Sequence, residues 1–410
     1  MRQSVFDTLT LPNGSVLPNR LAKAAMEENM AAAGHLPGDS LIQLYKTWAS
    51  GGAGLLITGN VMVDHRAMTG PGGIALEAET PLEPFRQWSK TGQINGTHIW
   101  MQINHPGRQV YAAMGGRVLS PSDIALDMGK HSKLFGKPSP MTDADIQELI
   151  ERFAVTAARA IEAGFNGVQI HAAHGYLISQ FLSPLTNQRT DQWGGSLENR
   201  ARLLYDIVKA IKAAIPKEAA IAVKLNSADF QRGGFDADDA LEVVKELGRL
   251  NVDLVELSGG SYESPAMQGN TADGRTLERE AYFLQFAKEI AKHAVMPIMT
   301  TGGIVRLAVA QQVIDEGVDM VGVGRALAFS PALPNLWKDS PQAQAVLPIV
   351  SWKDKTMSAL AVMAITKRQL QRMGKGKSPK PNSSPLLSLI ADQVRLKKLT
   401  KVYRNRYDNV

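Results

Sequence analysis

The chain has 410 residues, 44% of them apolar, with 45 Lys+Arg against 39 Asp+Glu for a formal charge of +6, and no cysteine. That length and apolar fraction suffice for one large core, and the lack of cysteine excludes disulfides, iron–sulfur clusters and thiolate zinc sites. No apolar run approaches the roughly 18 to 20 residues that cross a bilayer, and the opening stretch has no basic region followed by an apolar one, so a cytoplasmic protein is expected.

Two short extended runs around Pro12-Asn13-Gly14, the second ending at Asn19, read as a hairpin ahead of the main fold, placed to plug the lower end of a barrel. Eight apolar runs follow, at 21–25, 55–61, 97–103, 167–171, 220–225, 253–257, 296–300 and 320–323. The segments between them carry helical period and caps. Thr142 with Asp145 resembles an N-terminal cap, after which Ile146, Leu149, Ile150, Phe153, Ala154 and Ala157 fall on one face until Gly164. Leu197 to Ile215 repeats the pattern before Pro216, and Asp236 opens another helix through Leu241, Val244 and Leu247. Eight strands alternating with helices predict an α/β fold, a closed (β/α)8 TIM barrel occupying residues 1–340. Two long connections, 104–140 and 259–275, leave carboxyl ends of strands and are candidate lids.

Beyond Pro341 the pattern changes. Residues 341–410 hold 14 Lys+Arg against 3 Asp+Glu, while the first 340 hold 31 against 36. A helical stretch at 357–370, a Gly/Lys/Ser/Pro linker at 374–384 and an amphipathic segment at 385–402 make a basic helical C-terminal extension. Such a tail could meet nucleic acid, an anionic membrane surface or an acidic patch of its own protein. No nucleic acid is expected, and peripheral membrane contact is one open role.

Three places carry residues suited to chemistry. His171 and His174, with Tyr176, lie just past the fourth strand, where polar groups emerge at the mouth of a barrel. Paired imidazoles can donate to one ligand oxygen beside a phenol that keeps its proton; the same residues also admit a structural pair or, less readily, a metal, for which no third ligand stands at a familiar spacing, so none is expected. The glycine turns after the seventh and eighth strands, with Gly302, Gly303, Gly324 and Arg325, occupy the loops that in barrels bind phosphate. Lys224 ends the fifth strand, and Gln102 stands correspondingly on the third, with His105 beyond; an inward Lys demands an anion beside it.

With these residues on view, the sequence from about residue 4 to 334 resembles the old yellow enzyme family of FMN-dependent ene-reductases, and more loosely the barrel domain of bacterial 2,4-dienoyl-CoA reductases. The most specific match is the thirty-residue segment from His171-Ala-Ala-His-Gly-Tyr to Gly-Gly-Ser-Leu-Glu-Asn-Arg200, with support from Asn19-Arg20, Ala24-Ala25-Met26, the 102–108 segment and both glycine turns. The resemblance implies FMN as cofactor and NADH or NADPH as co-substrate. It implies that Ala25, Met26 and Gly59 line the isoalloxazine, that Gln102 and Lys224 contact its pyrimidine side, and that Gly302, Gly303, Gly324 and Arg325 bind the FMN phosphate. His171 and His174 would hold the substrate's activating oxygen and Tyr176 would deliver a proton.

The expected activity is hydride transfer from NAD(P)H through FMN to an activated alkene such as an α,β-unsaturated carbonyl compound. The alternatives are a flavin reductase or oxidative demethylase on the same scaffold, a catalytically weakened flavin-binding protein, and a flavin-free lyase using Lys224. Two departures stand out. Glu27 occupies a place where the family has Thr or Cys, beside flavin and substrate, and the cluster and Rossmann domains of the dienoyl-CoA reductases are not present in this sequence. A homo-oligomer is expected.

Overall fold

The structure is a computed structural model and describes residues 3–268 and 280–407. Two strands, β1 (Leu9–Thr10) and β2 (Val16–Leu17), pair antiparallel through a turn in which Gly14 takes a positive φ of 87°. The barrel is built by β3 (Leu21–Lys23), β4 (Leu55–Ile57), β7 (His98–Asn104), β10 (Gly167–Ala172), β11 (Ala220–Asn226), β12 (Leu254–Ser258), β13 (Ile298–Thr300) and β14 (Met320–Val323). Each pairs in parallel with the next, and β14 pairs back onto β3, which closes the cylinder.

Closure sorts the side chains by the two-residue period of a strand. Ala22, Leu55, Trp100, Ala220, Leu254, Met299 and Met320 point inward and form one apolar cluster with Leu9, Leu11 and Leu17 of the hairpin. The hairpin therefore plugs the end of the barrel where the strands begin. Residues of opposite parity face the outer helices and join the larger core.

Those helices follow their caps. α3 (Asp143–Glu162) starts with Thr142 accepting from the Asp145 amide while the Asp145 carboxylate accepts from the Thr142 amide, and it buries Ile146, Leu149, Phe153 and Ala157. α5 (Leu197–Ala214) is capped by Ser196 and α6 (Ala237–Arg249) by Asp236.

Two readings are refined by the structure. The apolar run at 55–61 is not one strand: β4 stops at Ile57, and β5 (Val61–Met62) restarts beside β7 and β6 (Ile74–Ala75). Gly59 is the cause, because a Cβ there would lie 2.4 Å from the Met26 carbonyl oxygen, so the chain bends against the 26–28 segment. The long connection after β7 is also less open than its composition implies: β8 (Val118–Ser120) and β9 (Pro138–Pro140) pair inside it. Arg108 donates to the carbonyls of Ile124 and Ala125 and pairs with Glu263, tying this connection to the one after β12. Of that second candidate lid, residues 269–275 fall outside the described part of the chain.

The extension forms α11 (Lys355–Met373) and α12 (Pro385–Tyr407). Ile365, Leu370 and Met373 of α11 belong to the main core. Helix α12 runs five residues past its predicted end because Tyr403 and Tyr407 set their rings against His35 and the Tyr403 hydroxyl donates to the His65 carbonyl. Arg395 donates to the Asn29 carbonyl, so this helix is held by aromatic and backbone contacts while Lys397, Lys398, Lys401 and Arg404 stay exposed. Among the described residues, no helix is long and apolar enough to cross a membrane.

Candidate active site

The inward positions toward the carboxyl ends of the strands become polar. Gln102 of β7 faces Gln169 of β10, and Lys224 of β11 stands in register with both His171 and Glu256 of β12. Gln102 donates through Nε2 to Gln169 Oε1 at 2.7 Å, Gln169 donates to Glu256 Oε2 at 2.8 Å, and the Lys224 ammonium lies 2.8 Å from Glu256 Oε1. All four are buried. Gln102 and Lys224 are thus inward, and the anion that an inward lysine demands is Glu256.

Above this layer, β10 ends in a turn that carries the histidines. His174 takes φ 61° and Gly175 φ 73°, two successive left-handed residues that fold the chain back so that His174 stands beside His171. The turn is pinned from both sides: the His174 amide donates to Asn226 Oδ1, and Gln109 Nε2 donates to the His174 carbonyl. A Cβ on Gly175 would lie 2.8 Å from Ser261, which explains the glycine. The imidazole centroids are 5.0 Å apart, and the Tyr176 ring is 4.9 Å from that of His171. One glycine-bearing turn therefore gathers all three predicted catalytic side chains.

Burial sets their protonation. Both imidazoles are held well below the ordinary histidine range, first because burial disfavours the cation and second because the Lys224 charge lies near. The Ala173 amide donates to His171 Nδ1, so the neutral ring carries its proton on Nε2. His174 Nε2 lies 2.7 Å from the Ser258 hydroxyl. Burial also raises the Tyr176 phenol above its usual range, with the nearby Glu27 carboxylate adding to the effect. The Tyr176 oxygen is 3.2 Å from that of Tyr262, a second phenol raised by the same cause. The site therefore presents neutral donors and protonated phenols.

The glycine turns divide. Gly302 and Gly303 have φ of 127° and 70°, and a Cβ on Gly303 would lie 2.3 Å from the Tyr282 hydroxyl, so protein atoms already fill the space beside it. Gly324 instead faces open space, with nothing within 4 Å of where a Cβ would stand. Next to it the Arg325 guanidinium has no carboxylate partner among the described residues; burial lowers its pKa, with the Tyr282 phenol opposing that shift.

At the end of β3, Ala25, Met26 and Glu27 are half-buried, Ala25 against the inner apolar cluster. Glu27 accepts from the Thr69 hydroxyl at 2.8 Å, and its charge reaches Tyr111, Tyr176 and Tyr262. The Gly59 amide donates to Glu28 and to the Tyr45 hydroxyl. Glu28 is structural and also pairs with the buried Lys23. His105 lies away from the histidine pair, facing a cavity of about 300 Å³ with Asp64, Arg152 and Tyr403, and burial brings its pKa down to about 4. Asp64, His65 and Glu77 could group their ligand atoms, but each is engaged: Asp64 with Arg66, His65 with Glu77, and Glu77 with Arg152.

Glu256, Gln169, Ser258, Asn226 and Tyr262 were given no role by the sequence. Glu256 had a readable signal, an acid inside the apolar run Leu254-Val-Glu-Leu. Tyr262 lies in an irregular loop that offers no period to read.

Fold and site together define a (β/α)8-barrel enzyme with its polar machinery at the carboxyl ends of the strands. Residues 4–341 match the NADH:flavin oxidoreductase / NADH oxidase family, and the chain belongs to that family, the old yellow enzymes; it is an NAD(P)H-dependent flavin oxidoreductase. It is 38% identical over 350 residues to the NADH-dependent flavin oxidoreductase iliE of Hypocrea jecorina, covering 80% of this chain and 86% of that one. It is 32% identical to an NADH oxidase of Thermoanaerobacter brockii, covering 80% of this chain and 50% of that protein. The old yellow enzyme homologue of Zymomonas mobilis superposes with a TM-score of 0.72 at 26% identity, over 84% of this chain and 95% of the other. Morphinone reductase has the same fold, with a TM-score of 0.69 at 22% identity, over 84% and 91%.

Proposed function

We propose that the protein binds FMN at the carboxyl mouth of the barrel and reduces an activated alkene, such as an α,β-unsaturated carbonyl compound, at the expense of NADH or NADPH. Two features support FMN. Gly324 leaves open space beside a cation, Arg325, suited to a phosphate. Lys224 and Gln102 offer a charge and an amide inside the barrel.

Bound FMN would supply the hydride carrier that no side chain provides. The protein's part is to hold and polarise the acceptor. As hydride reaches the β-carbon, negative charge grows on the activating oxygen, and the His171 and His174 N–H groups are the donors for it; each such donor is commonly worth about 3 to 4 kcal/mol in the transition state. The α-carbon then takes a proton, which Tyr176 holds at neutral pH. Ala25 and Met26 would give the ring an apolar wall, and Glu27 would face the substrate beside Tyr176.

The observation that carries this reading is the gathering of two neutral imidazoles and a protonated phenol over the Gln102–Lys224 layer. A steady-state panel tests it: FMN-loaded protein should oxidise NADH or NADPH faster when cyclohexenone is added under anaerobic conditions. An enzyme reduced by nicotinamide but indifferent to every activated alkene would refute it.

A further inference from the structure

Four buried side chains form one directional chain across the barrel, and Glu256 gives it direction. A carboxylate only accepts, so Gln169 must turn its NH2 toward Glu256 and therefore its oxygen toward Gln102. Gln102 must in turn present its NH2 to that oxygen. What remains free on Gln102 is its own oxygen and one N–H. An amide orientation that is otherwise ambiguous is settled by one ionised group two residues away in the chain of bonds.

The same carboxylate, itself fully buried, meets the buried Lys224 ammonium at 2.8 Å, so a neighbouring charge sees an ion pair in place of a lone cation.

We infer that Glu256 is a positioning residue of the flavin pocket, which fixes the Gln102 amide with its oxygen toward the flavin's ring N–H and offsets the Lys224 charge, thereby holding down the affinity for reduced, anionic flavin. This rests on the FMN reading above. A flavin's pyrimidine edge carries an N–H between two carbonyls, and an amide offering one acceptor and one donor complements two adjacent positions of that edge.

The test uses full-length protein loaded with FMN. Glu256→Gln removes the charge while keeping the shape, and the midpoint potential of bound FMN, measured by equilibration with a reference dye, should rise. The expected change is at least tenfold in the preference for reduced over oxidised FMN, about 30 mV for a two-electron couple. Glu256→Asp retains the charge and should restore most of the wild-type potential. Gln169→Leu keeps the Lys224–Glu256 pair but uncouples Gln102; it should weaken oxidised FMN about tenfold by fluorescence titration while moving the potential much less, and it decides the matter if Glu256→Gln fails to fold. A potential unchanged or lowered in Glu256→Gln, or wild-type FMN affinity in Gln169→Leu, overturns the inference. Wild-type protein that binds no FMN defeats the underlying reading instead, so the two failures are told apart.

Discussion

The phenol oxygens of Tyr176 and Tyr262 lie 3.2 Å apart, and burial pushes both groups above the ordinary tyrosine range. A pair of phenols that neither ionises is a proton store beside the His171 ring. Tyr176→Phe is therefore expected to slow alkene reduction by about 10² to 10⁴, the usual span for loss of a general acid, while reduction by nicotinamide stays near the wild-type rate. Tyr262→Phe should cost less, because Tyr176 keeps its own proton. Separate stopped-flow measurement of the two half-reactions checks both.

The imidazoles make a prediction about pH. His171, His174 and His105 have folded pKa values below 6.5, so below pH 6.5 the unfolded chain binds more protons than the folded one. Stability then falls on acidification through that pH, and for His105 the loss continues to about pH 4. The urea midpoint should drop steadily from pH 7 to pH 5, and His105→Gln should shallow that drop.

The glycine turns separate packing from binding. Gly324→Ala places a Cβ with no protein atom within 4 Å, so the melting temperature of flavin-free protein should barely change while FMN binding falls about 10- to 100-fold. Gly303→Ala collides with the Tyr282 hydroxyl at a positive φ and should destabilise the protein even without flavin. Arg325→Leu should weaken FMN by about 10- to 100-fold, the range for losing a hydrogen bond to a charged group. Thermal scans with and without FMN distinguish the three.

The described part of the extension, residues 341–407, is expected to unfold together with the barrel. Ile365 is fully buried in the main core, and Ile365→Ala should cost about 2 to 5 kcal/mol. Tyr403→Phe removes only the hydrogen bond to the His65 carbonyl and should cost about 1 kcal/mol. Urea unfolding of each variant measures these costs.

Much of this molecule could be read before its structure. The barrel strands were legible because a parallel sheet buried on both faces needs unbroken apolar runs, and the helix starts at Thr142, Ser196 and Asp236 follow local capping chemistry. His171, His174 and Tyr176 sit in one short segment, so their proximity was local too. Glu256 and Gln169 escaped because their meaning depends on strand register, which brings residues 87 positions apart into a hydrogen bond. The bond from the Gly59 amide to Glu28 was equally hidden, because no local pattern discloses the return of Glu28 toward that bend. The docking of α12 through Tyr403 and Tyr407 was hidden by the helix's many lysines and arginines, of which Lys397, Lys398, Lys401 and Arg404 are exposed while Arg395 turns to the Asn29 carbonyl.

The most direct test is a single-turnover experiment: wild-type, His171→Ala and Tyr176→Phe proteins, loaded with FMN and reduced anaerobically by one equivalent of NADH, are mixed with cyclohexenone and followed at the flavin absorbance. Reoxidation should be fast in the wild type and slowed at least 100-fold in both variants, with flavin reduction intact in Tyr176→Phe. Equal reoxidation rates in all three proteins would contradict the placement of the imidazoles and the phenol over the flavin.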